Sequence, residues 1–312
     1  MHFLLDCDPG HDDAVALLFA AHHLNLVGVT TVFGNTSIEN TTYNALAILS
    51  SAKLGHIPIA AGATAPLQGV ARSAETVHGK SGLDGANFPA PTLTAVQQPA
   101  VDLIIAMSRE FEDFTIIATG PLTNIATAIT KDPGLAERVK GISIMGGSTS
   151  GGNATPAAEF NFFADPEAAK IVFNSSAVIT MAGLNVTANF GFDEKDVEQL
   201  RHSQSSTASE VAGALGYYLE RQASLYKRSF APLHDLCAVI PFTHPGLIRH
   251  EMMHVDIETS GQLTRGMSVC DLRGLSASEG LEPPRPSNAN VAISADGDKI
   301  IRVVLDTLVK FP

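Results

Sequence analysis

Four aspartates crowd into eight residues near the start of the chain: Asp6, Asp8, Asp12 and Asp13, within Leu4-Leu5-Asp6-Cys7-Asp8-Pro9-Gly10-His11-Asp12-Asp13-Ala14. Two carboxylates about 4 Å apart repel by roughly 4 kcal/mol at an effective dielectric near 20. A fold that gathers several of them needs protons or a bound cation. The plain alternative is a solvated turn with one Asp as a helix cap, but a cap uses one carboxylate, not four. Oxygen-only ligands suit Ca²⁺ or Mg²⁺ rather than zinc.

Three further sets could join such a centre. His234-Asp235 lies between Tyr226-Lys227-Arg228-Ser229-Phe230 and the apolar run Leu236-Cys237-Ala238-Val239-Ile240. Alone, that pair reads as a helix cap. Beside a metal cluster, Asp235 offers a distant ligand and His234 a proton donor. Asn153, Glu159 and Asn161 sit in a Gly/Thr-rich stretch. It is a polar loop by default, but its amides and carboxylate match a sugar's hydroxyls. Thr119-Gly120-Pro121-Leu122-Thr123-Asn124 reads as a strand-to-helix turn, whose backbone carbonyls can face a cation.

The elements that must position these groups alternate. Strands are predicted at 2–7, 26–33, 57–61, 114–118, 139–145, 177–182 and 289–293. Helices are predicted at 12–23, 38–53, from 122, at 206–229, and at the end of the chain. That pattern predicts an α/β fold, a single domain over 1–312 with an open, mostly parallel sheet flanked by helices. In such sheets ligands bind beyond the carboxyl ends of the strands. The tips Asp8-Pro9-Gly10, Gly34-Asn35, Thr119-Gly120-Pro121 and Gly146-Gly147-Ser148 should therefore converge. Stretches 62–99, which carries His78, and 149–159 read as loops, the longer one a candidate lid. A proline-rich surface excursion is expected at 280–288.

Composition narrows the partners. The 312 residues are 45% apolar and 17% charged, which argues against disorder. Net charge is −12 with no Lys/Arg run, so a nucleic-acid polymer or an anionic membrane is a poor partner and a small molecule a better one. Cys7, Cys237 and Cys270 are too few and too scattered for a disulfide framework or a zinc site, and Cys7 reads as a core residue. No signal-like start and no apolar run of about 18 residues is present, so a soluble cytoplasmic protein is expected.

The stretch from Asp6 to Ala14 resembles the signature of the inosine-uridine type nucleoside hydrolases. Thr30-Thr31-Val32-Phe33-Gly34-Asn35, Thr119-Gly120-Pro121-Leu122-Thr123-Asn124, Met145-Gly146-Gly147, Ala158-Glu159-Phe160-Asn161, Ala164-Asp165-Pro166-Glu167-Ala168-Ala169 and His234-Asp235 resemble the family too, in its order. Together they span most of the chain. The resemblance implies a Rossmann-like nucleoside hydrolase fold and hydrolysis of a ribonucleoside's N-glycosidic bond to ribose and free base. It implies a bound Ca²⁺ held by Asp8, Asp13, Asp235 and the Thr119 carbonyl. Asp8 would also be the general base, Asp12 would hold ribose, and Asp6 would support the cluster. Asn35, Met145, Asn153, Glu159 and Asn161 would line the ribose pocket. His234 would assist the leaving base, with His78 the second candidate. A homodimer or homotetramer and a role in nucleoside salvage are also implied.

Gln222 and Tyr226 lie four apart, on one helical face. Pyrimidine-preferring members of the family resemble this arrangement, so uridine or cytidine is the expected substrate; an exposed helix face is the plain alternative, and a purine-preferring or broad hydrolase the rival preference. Asn185 stands where the family leads one to expect Asp. Two rivals come from other classes. A haloacid-dehalogenase-type phosphatase also opens with strand-Asp-x-Asp, but usually has Thr or Val where this chain has Gly10. A non-catalytic nucleoside- or ribose-binding protein would keep the fold without the chemistry.

Overall fold

The apolar strand His2–Cys7 is buried from Phe3 to Cys7, as expected of a strand covered on both faces. It lies inside an eight-stranded sheet ordered Ile59–Ala61, Leu26–Thr31, His2–Cys7, Phe114–Ala118, Gly141–Met145, Ile179–Ala182, Ala289–Ala295, Ile248–Met253. All neighbours pair in parallel except the last two, which are antiparallel. The structure is a computed structural model and describes residues 1–275, 283 and 285–312.

The chain builds outward from His2–Cys7 through Leu26–Thr31 to Ile59–Ala61, then crosses back to Phe114–Ala118 on the other side. The crevice at such a switch point is where open α/β sheets bind ligands. Register makes this concrete: Asp6 lies opposite both Thr30 and Ala118. Asp8 and Thr119 therefore emerge side by side just past the strand ends.

The helix His11–His23 follows at once and is buried from His11 to Ala20. It packs against the helices Ser206–Tyr226, Leu236–Thr243 and Gly297–Leu308, which explains why its sequence is apolar nearly all round. Asp12 and Asp13 occupy its first turn, where the helix dipole favours negative charge. Two large apolar clusters make up most of the core.

Several boundaries move. The strand expected at 26–33 ends at Thr31, that at 57–61 shrinks to Ile59–Ala61, and the last strand runs on to Ala295. The helix expected at 206–229 stops at Tyr226, because Lys227 takes a left-handed conformation with φ 58°. The sequence pattern did not reveal the helix Ala100–Glu110 or the edge strand Ile248–Met253. That strand exposes Arg249 and only partly buries its centre, so it lacks the apolar run that marks the inner strands. Within 62–99 the one helix is the short Glu75–His78. The proline-rich 280–288 stretch lies partly outside the described residues. Among the described residues no helix is long and apolar enough to cross a membrane. The three cysteines are free, and Cys7 is a core residue.

Candidate active site

Asp6 is fully buried. Its Oδ1 accepts from Thr30 Oγ1 at 2.6 Å and Asn124 Nδ2 at 2.8 Å, while Oδ2 has no partner. Burial pushes its carboxyl up to about 7, against the pull of those two bonds. Asn124 also donates to the Thr31 carbonyl and accepts from the Ala63 N–H. It thus knits several strand ends together behind the cluster.

Asp8 accepts the Asn35 N–H at 2.7 Å through Oδ2; its Oδ1 is buried and unpartnered. The flanking glycines make room for it. A Cβ on Gly34 would fall 2.0 Å from Asp8 Oδ2, and one on Gly120 2.8 Å from Oδ1. Asp13 accepts from Thr119 Oγ1 at 2.9 Å, Gly10 N–H at 3.0 Å and Asn35 Nδ2 at 2.9 Å. Asn35 Nδ2 also reaches the Asp8 carbonyl at 3.0 Å, so one amide ties Asp8 to Asp13.

Asp235 closes the group from far along the chain. Asp12, Asp13 and Asp235 each place a carboxylate oxygen within 4.8 Å of the others, a geometry that can hold a metal ion. This trio contains Asp12 where the expected ligand set had Asp8. Burial, then neighbouring carboxylates, drives Asp8 and Asp235 well above the usual carboxylate range, and Asp12 to about 7. Burial also raises Asp13.

The Thr119 carbonyl accepts from Asn161 Nδ2 at 2.8 Å, and the same amide reaches the Met145 carbonyl at 3.1 Å. Glu159 caps the helix Phe160–Ala164, accepting N–H groups of Asn161 at 2.9 Å and Phe162 at 3.3 Å, together with that of Gly147 at 2.9 Å. Burial nevertheless lifts it to about 7. Asn153 is exposed, and its Oδ1 accepts the Phe160 N–H.

These groups border a cavity of about 600 Å³, within the usual size of a small-molecule site. Asn35 and Thr119 line it from beyond the strand ends, Asp12 and Asp235 from the starts of the helices His11–His23 and Leu236–Thr243, and Met145, Asn153, Glu159 and Asn161 from the middle of the chain. His78, Gln222, Tyr226 and His234 complete the expected set. Asp6, Asp8 and Asp13 are buried and are not among the lining residues.

His234 Nδ1 lies 2.8 Å from Thr187 Oγ1. Burial, then the charge of Arg228, pulls the ring down to about 3. His78 Nδ1 is 3.0 Å from His11 Nδ1, and burial holds His78 well below the ordinary imidazole value. The exposed-face reading fails for Gln222, which is 3% exposed with an unpartnered Oε1. Tyr226, at the helix end, is 46% exposed.

Sequence reasoning missed Tyr218, Arg228 and Thr187. Tyr218 and Arg228 line the cavity, and Thr187 contacts a lining residue. Tyr218 is buried four residues before Gln222, so the same helical spacing could have found it. Asn185 is not part of the acidic cluster: its Nδ2 donates to the Ala292 carbonyl at 2.9 Å and its Oδ1 accepts the Thr149 N–H at 3.2 Å. Donation to a carbonyl calls for an amide, which accounts for Asn rather than Asp here.

Fold and site together define a class: an α/β enzyme whose all-oxygen acidic cradle opens on a small-molecule cavity. Comparison with known proteins narrows it. The chain belongs to the inosine-uridine preferring nucleoside hydrolase family, whose model matches residues 3–302. It is a ribonucleoside N-glycosyl hydrolase acting on a small-molecule nucleoside, which sets aside the phosphatase and the non-catalytic binder. A pyrimidine-specific ribonucleoside hydrolase RihA from Shewanella baltica (strain OS185) is 40% identical over 98% of this chain and 96% of its own length. An inosine-uridine preferring nucleoside hydrolase from Leishmania major is 39% identical over the same shares. The solved purine-preferring ribonucleoside hydrolase from Gardnerella vaginalis superposes with a TM-score of 0.91 at 27% identity, covering 99% of this chain and 98% of that one.

Proposed function

We propose that this enzyme hydrolyses uridine and cytidine, with Ca²⁺ as its resident ion. The observation that carries the base preference is Gln222: a buried amide at the cavity with an unpartnered Oε1, one helical turn from Tyr226. An amide offers a donor and an acceptor together. By turning over, it can match the N3–H and O4 of uracil or the N3 and N4 amine of cytosine. The RihA relative's name points the same way, although the Gardnerella structure is named for purines.

The residues fit a hard cation. Asp12, Asp13 and Asp235 present converging oxygens, and Asp8 keeps a buried, unpartnered Oδ1 beside them. Asp8, Asp13, Asp235 and the Thr119 carbonyl would hold the ion, with Asp12 free to grip ribose. When bound, Ca²⁺ supplies Lewis-acid activation of a water and an anchor for vicinal hydroxyls.

Asp8 takes a proton from the attacking water as it approaches C1′. Positive charge builds on the ribose in an oxocarbenium-like transition state, and the surrounding carboxylates favour it. Asn35, Met145, Asn153, Glu159 and Asn161 orient the sugar. His234 assists the departing base; His78, whose Nδ1 is engaged by His11, is the second candidate. Asp6 supports the cluster from behind. A cytoplasmic homodimer or homotetramer working in nucleoside salvage is the setting this chemistry suits.

The test is a panel of uridine, cytidine, inosine, adenosine and 2′-deoxyuridine, with metal content measured before and after chelation. Pyrimidine kcat/KM should exceed purine values by roughly tenfold or more, and 2′-deoxyuridine should be poor. Chelation should abolish turnover and Ca²⁺ restore it. A purine preference overturns the base assignment; full activity after verified metal removal overturns the Ca²⁺ requirement.

A further inference from the structure

The helical turn Leu184–Thr187 carries a hydroxyl with an unusual partner. Thr187 is fully buried, and the hydrogen bond of its Oγ1 runs to His234 Nδ1 at 2.8 Å. Some helical threonines of this chain donate back along their own helix, Thr127 to the Thr123 carbonyl at 2.7 Å and Thr130 to the Ala126 carbonyl at 2.8 Å. Thr187 makes no such bond among the described residues. A buried hydroxyl proton without an acceptor is costly, so it must go to the one acceptor it faces. With the hydroxyl donating, Nδ1 of His234 accepts with its lone pair and the ring's proton is left on Nε2. The ring lines the cavity, and Nε2 has no partner among the described residues.

We propose that Thr187 is a positioning residue that fixes His234 in its Nε2–H tautomer, so that the ring offers a hydrogen-bond donor to the departing base. This rests on the reading of His234 as the group that assists the leaving base. A reversed tautomer would present a lone pair to the base and withdraw that help. Thr187 touches neither substrate nor ion; it acts through His234.

The experiment compares Thr187→Val, Thr187→Ser and His234→Ala on uridine and on 4-nitrophenyl β-D-ribofuranoside, whose phenolate leaves without a hydrogen-bond donor. Thr187→Val should lower kcat on uridine roughly tenfold, a fraction of what general-acid assistance contributes, with little change in KM. It should leave the nitrophenyl riboside rate unchanged, and Thr187→Ser should stay near wild type on both. Unchanged uridine turnover in Thr187→Val, or equal loss on both substrates, overturns the assignment, the second outcome marking a merely structural role. If His234→Ala loses both substrates equally, the reading of His234 falls and takes this proposal with it. If His234→Ala is selective and Thr187→Val is not, only the Thr187 assignment falls. Should Thr187→Val not fold, ¹⁵N NMR of histidine-labelled wild type decides: a protonated Nε2 on His234 supports the proposal and a protonated Nδ1 overturns it.

Discussion

Asp132 and Asp8 are the same side chain in opposite circumstances. Asp132, near the end of the helix Thr123–Lys131, receives Arg138 at 2.7 Å and Arg109 at 2.8 Å. The Arg138 hydrogen bond leads the effects that hold its carboxyl below the usual range. Asp8 receives one backbone N–H, keeps one oxygen bare, and is driven the other way by burial and by Asp13. The chain thus supplies arginines where a carboxylate only has to pin a surface turn. At the carboxyl end of the sheet it gathers acids, and the ion pairs among the described residues lie elsewhere. That local deficit of positive charge is what suits the region to a metal ion and to a substrate that becomes cationic.

The comparison breaks most sharply at Asp8. Asp8→Asn keeps the shape and removes the proposed base, and turnover of uridine should fall by roughly 10²–10⁴. Metal content, measured alongside, separates a lost base from a lost ligand. Turnover that survives with Ca²⁺ still bound would show that Asp8 is not the base.

A middle-sized effect concerns stability without the ion. Burial raises Asp6 and Asp12 from 3.8 to about 7 in the folded chain. Such groups bind protons more readily folded than unfolded. Their contribution to stability is therefore fully present below the unfolded value and lost as pH rises through about 7. Metal-free enzyme should melt lower at pH 8 than at pH 5, and added Ca²⁺ should raise Tm more at pH 8. Thermal melts at both pH values, with and without the ion, check this. A metal-free enzyme that is more stable at pH 8 would mean that the acids are not in the conflict their burial implies.

How far these groups can be read from sequence follows from how far apart they lie in it. Asp8 and Asp13 stand within one motif, so their mutual repulsion is legible in the residues themselves. Asp235 gives no such sign; a lone His-Asp pair looks like a cap, and it reads as a distant ligand only once the aspartate cluster has raised the question of a metal. Asn124 and Thr30, which brace Asp6, are ordinary polar residues whose purpose exists only across paired strands. The parallel strands announce themselves because burial on both faces makes them apolar. The edge strand Ile248–Met253, half wet, does not. Thr187 carries no signal of its own, since nothing in a sequence says which way a hydroxyl turns.

The smallest effect tests the other side of the comparison. Asp132→Asn removes a carboxylate whose arginine partners are both partly solvent-exposed. Exposed ion pairs are typically worth less than about 1 kcal/mol, because water and salt already screen them. Urea unfolding should therefore shift only slightly, with an unchanged slope, and kcat/KM on uridine should not move. The lowered carboxyl predicts the sign of the pH dependence as well: the stability Asp132 contributes is present above its unfolded value and is lost as pH falls, opposite to Asp6 and Asp12. The gap between wild type and Asp132→Asn should thus narrow in acid. If the gap widened instead, or if activity fell with it, Asp132 would be more than a surface pin, and the contrast between paired and unpaired acids would no longer separate scaffold from site.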